Sequence, residues 1–376
     1  MNCRCSSATA TALLLLWGLA SGGCRAERVA RQHGGVADLP GQPPKSVELI
    51  LKRISPEGVE ASDPQWSPGG RELAFTVWKT QGTRETGEVK RAAGFWVAST
   101  ATRQVVRRVP GIFLTWCDEK TLLWQDEKVQ QMDVHSGRSG TSVIQGTRPL
   151  CSPQGGKIAV QQGSTTRRRL VVIDRQDAST SYIARASETF ESFTYQWSPS
   201  GRYLTVADWK PHGFGSQLAW VRVFTPTGRL VRELAGQICG SAQGGFVSWT
   251  PDEKQVVYGA RSGERCELYA LALRDGGSPS LLARLSEPDV WGVRVSPDGQ
   301  WVTYAAGSRP VADLHPRYGR VHLLNLSTRH VSTLMQQPEE DAWGHGATWS
   351  PDSRHLAYAV KGAVYLATIS GDGRDS

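Results

Sequence analysis

Two short stretches carry side chains that could do chemistry, and they echo each other: Asp289-Val290-Trp291-Gly292 and Asp341-Ala342-Trp343-Gly344-His345. Joined by His212, the carboxylates of Asp289 and Asp341 and the imidazole of His345 make an acid/base set, provided the fold brings them within about 3 to 6 Å of one another. The same stretches also read as a contact surface. Trp291 and Trp343, with Trp209, Trp78 and Arg261, are the residue types that dominate binding hot spots, and aromatic surfaces suit sugars and peptides as well. A structural reading stands beside both: each Asp accepts backbone N–H groups at a loop entry, and each Trp packs. Other chemistries lack their residues. Gly215-Ser216 and Gly240-Ser241 come nearest to a nucleophile elbow without its Gly-x-Ser-x-Gly frame. No glycine-rich phosphate loop occurs, and His212, His315 and His345 are too scattered for a zinc site. A non-catalytic binding role with no cofactor and no metal is therefore the expectation, and an enzyme or small-molecule binder working in a central funnel is the alternative.

These residues must be positioned by a repeat. The phrase Tyr195-Gln196-Trp197-Ser198-Pro199-Ser200-Gly201-Arg202-Tyr203-Leu204 reads as a strand, a tight turn and a second strand, because Pro199 presets φ and Gly201 tolerates positive φ. It recurs at Trp66-Ser67-Pro68, Cys151-Ser152-Pro153, Trp249-Thr250-Pro251, Val295-Ser296-Pro297 and Trp349-Ser350-Pro351, with a degraded copy at Trp116-Cys117-Asp118. The residue before the Ser or Thr marks each copy, and the marks fall about 47 residues apart, a period that signals propeller blades of four strands each. The fifth unit parses into strands near 246–249, 255–260, 267–273 and 281–285. The seventh runs out of chain after its third strand, while an unattached strand at 47–54 precedes the first unit. The expected fold is an all-β, seven-bladed propeller closed by that N-terminal strand, with six blades as the rival. Loops entering the first strand and joining second to third strands share one face, opposite the Ser-Pro turns, and the candidate residues fall on that loop face. The tryptophans at the marks are read as packing.

Composition sets the context. A net charge of +8 is spread over the chain without a base-reading motif, so nucleic acid is not expected. Residues 1–23 read as a signal peptide: Arg4, an apolar run, then Ser21-Gly22-Gly23 before Cys24. Residues 24–45, rich in Gly and Pro, read as a flexible tether, 46–370 as the propeller and 371–376 as a tail. Export permits disulfides. In the blade frame Cys239 and Cys266 fall on the same face of the fifth blade and are expected to bond. Cys117 and Cys151 lie at the Ser-Pro ends of neighbouring inner strands, and either bond or pack as two small thiols.

Two resemblances add to this. The Trp-Ser-Pro-Asp/Ser-Gly turn followed by Leu-Ala-Phe/Tyr resembles the WD40-like (PD40) repeat of the TolB family and of prolyl-oligopeptidase-type propellers, over about residues 46–370. It departs from both in lacking an N-terminal α/β domain and an appended hydrolase domain. The resemblance implies a protein or peptide partner in the cell envelope. Small residues before Cys24 resemble a lipobox, although Ser21 stands where an aliphatic residue is usual. That implies a lipid anchor at Cys24 and, with Arg25 following, an outer-membrane location.

Overall fold

Every mark residue ends one strand, and in every copy but the second, where Cys117 stands, a Ser or Thr after it turns the chain. The hydroxyl of Ser67, Ser198, Ser296 and Ser350 accepts the backbone N–H five residues on, from Glu72, Tyr203, Trp301 and His355 at 2.9–3.0 Å. The Pro between cannot donate and fixes φ, so the hairpin is specified locally. These serines are buried, and their hydroxyls are engaged in building turns.

The computed structural model describes residues 48–81, 89–142, 144–163, 168–185, 192–212, 216–238, 247–263, 265–274, 277–285, 289–308, 317–336 and 347–370. Their strands form seven antiparallel blades of four, named here blades 1 to 7. Blade 1 comprises Glu60–Trp66, Glu72–Gln81, Val89–Ser99 and Val105–Val109. Blade 2 comprises Ile112–Trp116, Thr121–Gln125, Val129–Asp133 and Ser139–Thr141. Blade 3 comprises Thr147–Cys151, Lys157–Gln162, Arg169–Asp174 and Thr180–Arg185. Blade 4 comprises Ser192–Trp197, Leu204–His212, Ser216–Phe224 and Leu230–Ile238. Blade 5 comprises Val247–Trp249, Gln255–Ser262, Arg265–Ala272 and Ser280–Arg284. Blade 6 comprises Asp289–Val295, Trp301–Ser308, Arg317–Asn325 and Val331–Gln336. Blade 7 takes Thr348–Trp349, His355–Val360 and Ala363–Ser370 from the end of the chain and its outer strand, Glu48–Arg53, from the beginning. The N-terminal strand pairs Glu48 with Ser370 and Arg53 with Tyr365. The ring is thus closed by hydrogen bonds between the two ends of the chain, which covers an edge that would otherwise be open.

The core lies between blades. One apolar cluster joins Leu73, Phe75 and Ala98 of blade 1 to Ala357, Val364 and Leu366 of blade 7; another joins Phe95 and Val97 of blade 1 to Leu122 and Met132 of blade 2. Both faces of the middle strands are therefore covered, which is why they run apolar instead of alternating. Blades 4 and 5 are also joined through the backbone, where Ile238 pairs with Ala260.

Candidate functional site

The mark residues stitch the ring together. The indole N–H of Trp66 in blade 1 donates to the Thr348 carbonyl of blade 7 at 3.1 Å. Trp116 donates to Gln65 at 3.3 Å, Trp197 to Leu150 at 3.0 Å and Trp349 to Arg294 at 3.3 Å. In each case the acceptor is the residue just before the mark of the preceding blade. Cys151 occupies the mark of blade 3 and has no indole; it is joined instead to Cys117 of blade 2 by a disulfide, with the Cα atoms 4.9 Å apart. Val295, the mark of blade 6, donates its backbone N–H to Ser248 Oγ of blade 5 at 2.9 Å. Trp249 of blade 5 stacks on Tyr203 of blade 4, with centroids 5.7 Å apart and planes 10° from parallel, and its buried indole N–H has no acceptor among the described residues.

The turns are cross-linked as well. At the left-handed position of the turn stand Gly70, Gly155, Gly201 and Gly299, but also Glu253 (φ 56°) and Ser353 (φ 61°). Both exceptions use their side chains on the preceding blade. Glu253 accepts from the N–H and hydroxyl of Ser200, and Ser353 Oγ accepts from the N–H of Asp298 at 2.9 Å.

One seam is left open. Between blades 7 and 1, on the turn face, lies a cavity of about 330 Å³ lined by Trp66, Gly69, Gly70, Thr100, Ala101, Ser350, Pro351, Asp352, His355 and Leu366. The fourth-to-fifth seam explains why. There Tyr203, the residue just before its second strand, lies flat on the Trp249 ring and carries the Arg202 guanidinium above it, 5.6 Å from the ring centre. The equivalent residue of blade 7 is the smaller His355, whose ring stands 6.5 Å from Trp66 and tilts by 43°. The turn of blade 1 reads Gly69-Gly70 and adds no side chain of its own; the Glu119 carboxylate of blade 2 lies against Gly69, and a Cβ on Gly70 would sit 3.2 Å from Pro351.

Shifted ionisations follow local structure. The Asp252 carboxyl is held below its ordinary value by the Thr250 hydroxyl and the Lys254 N–H, and Asp174 by Lys157. At Asp352 burial pushes upward but is outweighed by bonds from Ser350 and Arg354 and by the neighbouring His355 and Arg354 charges, so the net shift is downward. Burial raises the phenols of Tyr195, Tyr258 and Tyr358, the last to about 12. Burial likewise lowers Arg294, whose guanidinium donates to the Val293 carbonyl. Among the described residues no group of three or more His, Cys, Asp or Glu is placed to hold a metal ion.

The residues singled out from the sequence are distributed unevenly. Trp78 lies inside the strand Glu72–Gln81 instead of in the connection after it, half-buried, with its indole donating to Ser62 Oγ at 2.8 Å. The strand continues because its backbone stays paired, Trp78 to Gln81 with Ala92 to Val89 of the third strand. Arg261 also sits within a strand, paired with Cys266. Trp209 and His212 fall on the strand Leu204–His212, and Asp289 and Trp291 on Asp289–Val295, but their side chains are outside the described set. Asp341, Trp343, His345, Cys239 and Cys24 lie outside the described residues altogether. Cys266 is buried and disulfide-bonded. The seam residues Trp66, Asp352 and His355 were passed over because the turn face reads as scaffold. Their signal was present in the repeat: a histidine where blade 4 has Tyr203, and two glycines in one turn.

The loop face has relief. In blade 2 the first residue of the inner strand, Ile112, pairs with Gln125, the last of the second strand. In blade 3 the second strand passes the inner one by a single residue, Gln162. In blades 1, 4 and 5 it continues for three or four residues beyond the first inner-strand pair, through Gln81, His212 and Ser262. At about 3.3 Å per residue those hairpins stand roughly 10 Å above the sector formed by blades 2 and 3. On that low sector Ile112 is 57% exposed, and Thr147 and Arg148 are exposed beside it.

No family model matches the sequence, and no curated protein matches it either. Solved structures do match in shape. An oligogalacturonate lyase in complex with manganese aligns with a TM-score of 0.59 and 12% identity over 87% of this chain and 97% of its own, and a second oligogalacturonate lyase, from Vibrio parahaemolyticus, with 0.59 and 11% over 86% and 97%. The propeller domain of Cps50 (Swd1) from Myceliophteria thermophila aligns at 0.56 and 13% over 85% and 100%. TolB from Acinetobacter baumannii reaches 0.41 and 14% over 81% of each chain, too low to argue from. At such identities likeness shows the fold alone, and that fold is the seven-bladed β-propeller.

Proposed function

We propose that the protein is a non-catalytic binding scaffold that presents its loop face to a protein or peptide partner, entered over blades 2 and 3. The relief of that face carries the reading: tall hairpins from blades 1, 4 and 5 flank a low sector bearing exposed Ile112 and Arg148. An apolar side chain beside a guanidinium, framed by higher walls, suits recognition of an extended segment. The repeat frame of the sequence assigns the Asp289-Trp291 and Asp341-Trp343-His345 stretches to the same face. The Cys117–Cys151 bond supports export to an oxidising compartment, and the sequence around Cys24 supports anchoring there by lipid, in the outer membrane of a two-membrane cell.

The test is a pull-down from detergent-solubilised envelopes. Ile112→Asp/Arg148→Glu and Trp291→Ala/Trp343→Ala should each deplete the bound partner by about tenfold or more, while Arg138→Glu on the turn face should not. Unchanged capture by both loop-face variants overturns the reading. Mass spectrometry of the mature N-terminus checks the anchor: an acylated Cys24 is expected, and an unmodified N-terminus elsewhere refutes it.

A further inference from the structure

The cavity between blades 7 and 1 has a definite chemical character once the engaged groups are set aside. The indole N–H of Trp66 is fixed on Thr348, so the ring offers the cavity only carbon and its π surface. The Ser350 hydroxyl donates to Asp352 Oδ1 and accepts the His355 N–H. The Thr100 hydroxyl donates to the Gly70 and Arg71 carbonyls. Asp352 Oδ1 also accepts the Arg354 N–H at 3.0 Å, and lies 3.8 Å from His355 Nδ1, beyond hydrogen-bond length. What remains for a guest is one carboxylate oxygen, Asp352 Oδ2, the partly exposed His355 ring, an indole surface and the apolar walls of Pro351, Ala101 and Leu366. The side chains lining the cavity thus supply acceptors and a π surface and no free donor hydrogen beyond the imidazole. The complement is a donor-rich cation.

The protein itself lays a guanidinium on an aromatic stack elsewhere, and the residue that matches it in blade 7 is Arg354, whose charge also acts on Asp352. In the fourth-to-fifth seam a guanidinium, that of Arg202, caps an aromatic stack of Tyr203 on Trp249. In the seventh-to-first seam the stack has opened, and a carboxylate stands at its rim. We propose that this cavity is a binding site for a planar guanidinium, the side chain of an arginine in a partner peptide. Its flat face lies against Trp66 and its N–H groups are taken by Asp352, a pairing that the shape and weak hydration of guanidinium favour over ammonium. The cavity is at the small end of ligand pockets, which suits one side chain and not a folded element.

The experiment follows the Trp66 indole N–H resonance of ¹⁵N-labelled full-length protein, assigned with Trp66→Phe. The probes are capped Ala-Arg-Ala, capped Ala-Lys-Ala and agmatine. The arginine peptide and agmatine should both move the resonance, with the lysine peptide at least about tenfold weaker. Asp352→Asn, which keeps an acceptor for the turn, should weaken the arginine peptide by about tenfold or more. His355→Tyr should abolish binding while raising the melting temperature, because it restores the stack seen at Tyr203. Three results overturn the proposal: no shift with either guanidinium probe, equal response to the lysine peptide, or undiminished binding in His355→Tyr. Binding of agmatine without the arginine peptide would reassign the site to a free small guanidinium and overturn the peptide partner.

Discussion

The second-to-third seam and the third-to-fourth seam solve one problem in two ways. Both must hold neighbouring inner strands together at the mark position. Between blades 3 and 4 an indole reaches back to a carbonyl, Trp197 to Leu150. Between blades 2 and 3 the mark is Cys151, too short to reach, and a covalent bond to Cys117 takes over. That substitution explains why the second copy of the repeat looks degraded. Cys117 stands where the other turns have Ser or Thr, so the hydroxyl that accepts the second strand's N–H is absent, and Asp118 takes the N–H groups of Lys120 and Thr121 instead. The seam has exchanged a turn device and an indole for one crosslink.

The largest effect should come from removing that crosslink. Cys117→Ser/Cys151→Ser opens a 34-residue loop and should lower unfolding stability by about 2–4 kcal/mol in denaturant titration. The sharper variant is Cys117→Ser/Cys151→Trp, which writes the consensus into the seam: the serine restores the turn acceptor and the indole can reach the blade 2 carbonyl. It should recover part of the loss, and the recovered part should persist under reductant, which then acts only on the bond at Cys266. Stability no better than the double serine variant would mean that the two seams differ in backbone spacing and not only in side chain.

A smaller effect separates two tryptophans. Trp197→Phe removes ring volume and a hydrogen bond; Trp249→Phe removes similar volume but an indole N–H without an acceptor among the described residues. Losing a satisfied bond costs about 0.5–1.5 kcal/mol, and losing an unsatisfied buried donor costs nothing on that account. Trp197→Phe should therefore be the more destabilising by about 1–2 kcal/mol. Equal losses would show that packing alone holds the seams.

How much of this could be read from the sequence depends on whether the cause is local. The marks at Trp66, Trp116, Cys151, Trp197, Trp249, Val295 and Trp349 each end an inner strand, because turn chemistry and strand alternation act within a few residues. The clasp at Glu48–Arg53 followed from counting strands. The Cys117–Cys151 bond was visible only as one of two outcomes, since the spacing between blades is a tertiary quantity. Trp78 was placed in a connection because nothing local says where a hairpin stops. The seam cavity is harder still. It comes from volume that is missing relative to the fourth-to-fifth seam, His355 for Tyr203 and Gly69 where the other Ser-Pro and Thr-Pro turns carry a side chain, and absence leaves little trace in a single chain. Asp289 and Trp291 fall on the inner strand of blade 6 instead of in a connection, because strand pairing reaches further than the turn signal marks, and Trp343 lies outside the described residues.

The smallest expected effect tests whether the seams depend on charge at all. The carboxyls of Asp133, Asp174, Asp252 and Asp352 sit below their ordinary values, through the Ser136 N–H at Asp133, Lys157 at Asp174, the Thr250 hydroxyl at Asp252, and at Asp352 through bonds that outweigh burial. A carboxyl whose folded pKa is depressed adds stability that is fully present above its unfolded value, about 4, and is lost as pH falls through the lower folded value. Thermal melts should therefore show the full, pH-independent contribution of these groups between about pH 5 and 8 and a modest decline below about pH 4. Asp174→Asn should flatten that decline slightly. These carboxylates act within turns, whereas the indole and disulfide stitches carry no titrating group, so the acid decline should have the same slope in the wild type and in Cys117→Ser/Cys151→Ser. A steeper slope in the variant would mean that the second-to-third seam leans on its charged turns once the crosslink is gone, and the two seams would then differ in kind as well as in strength.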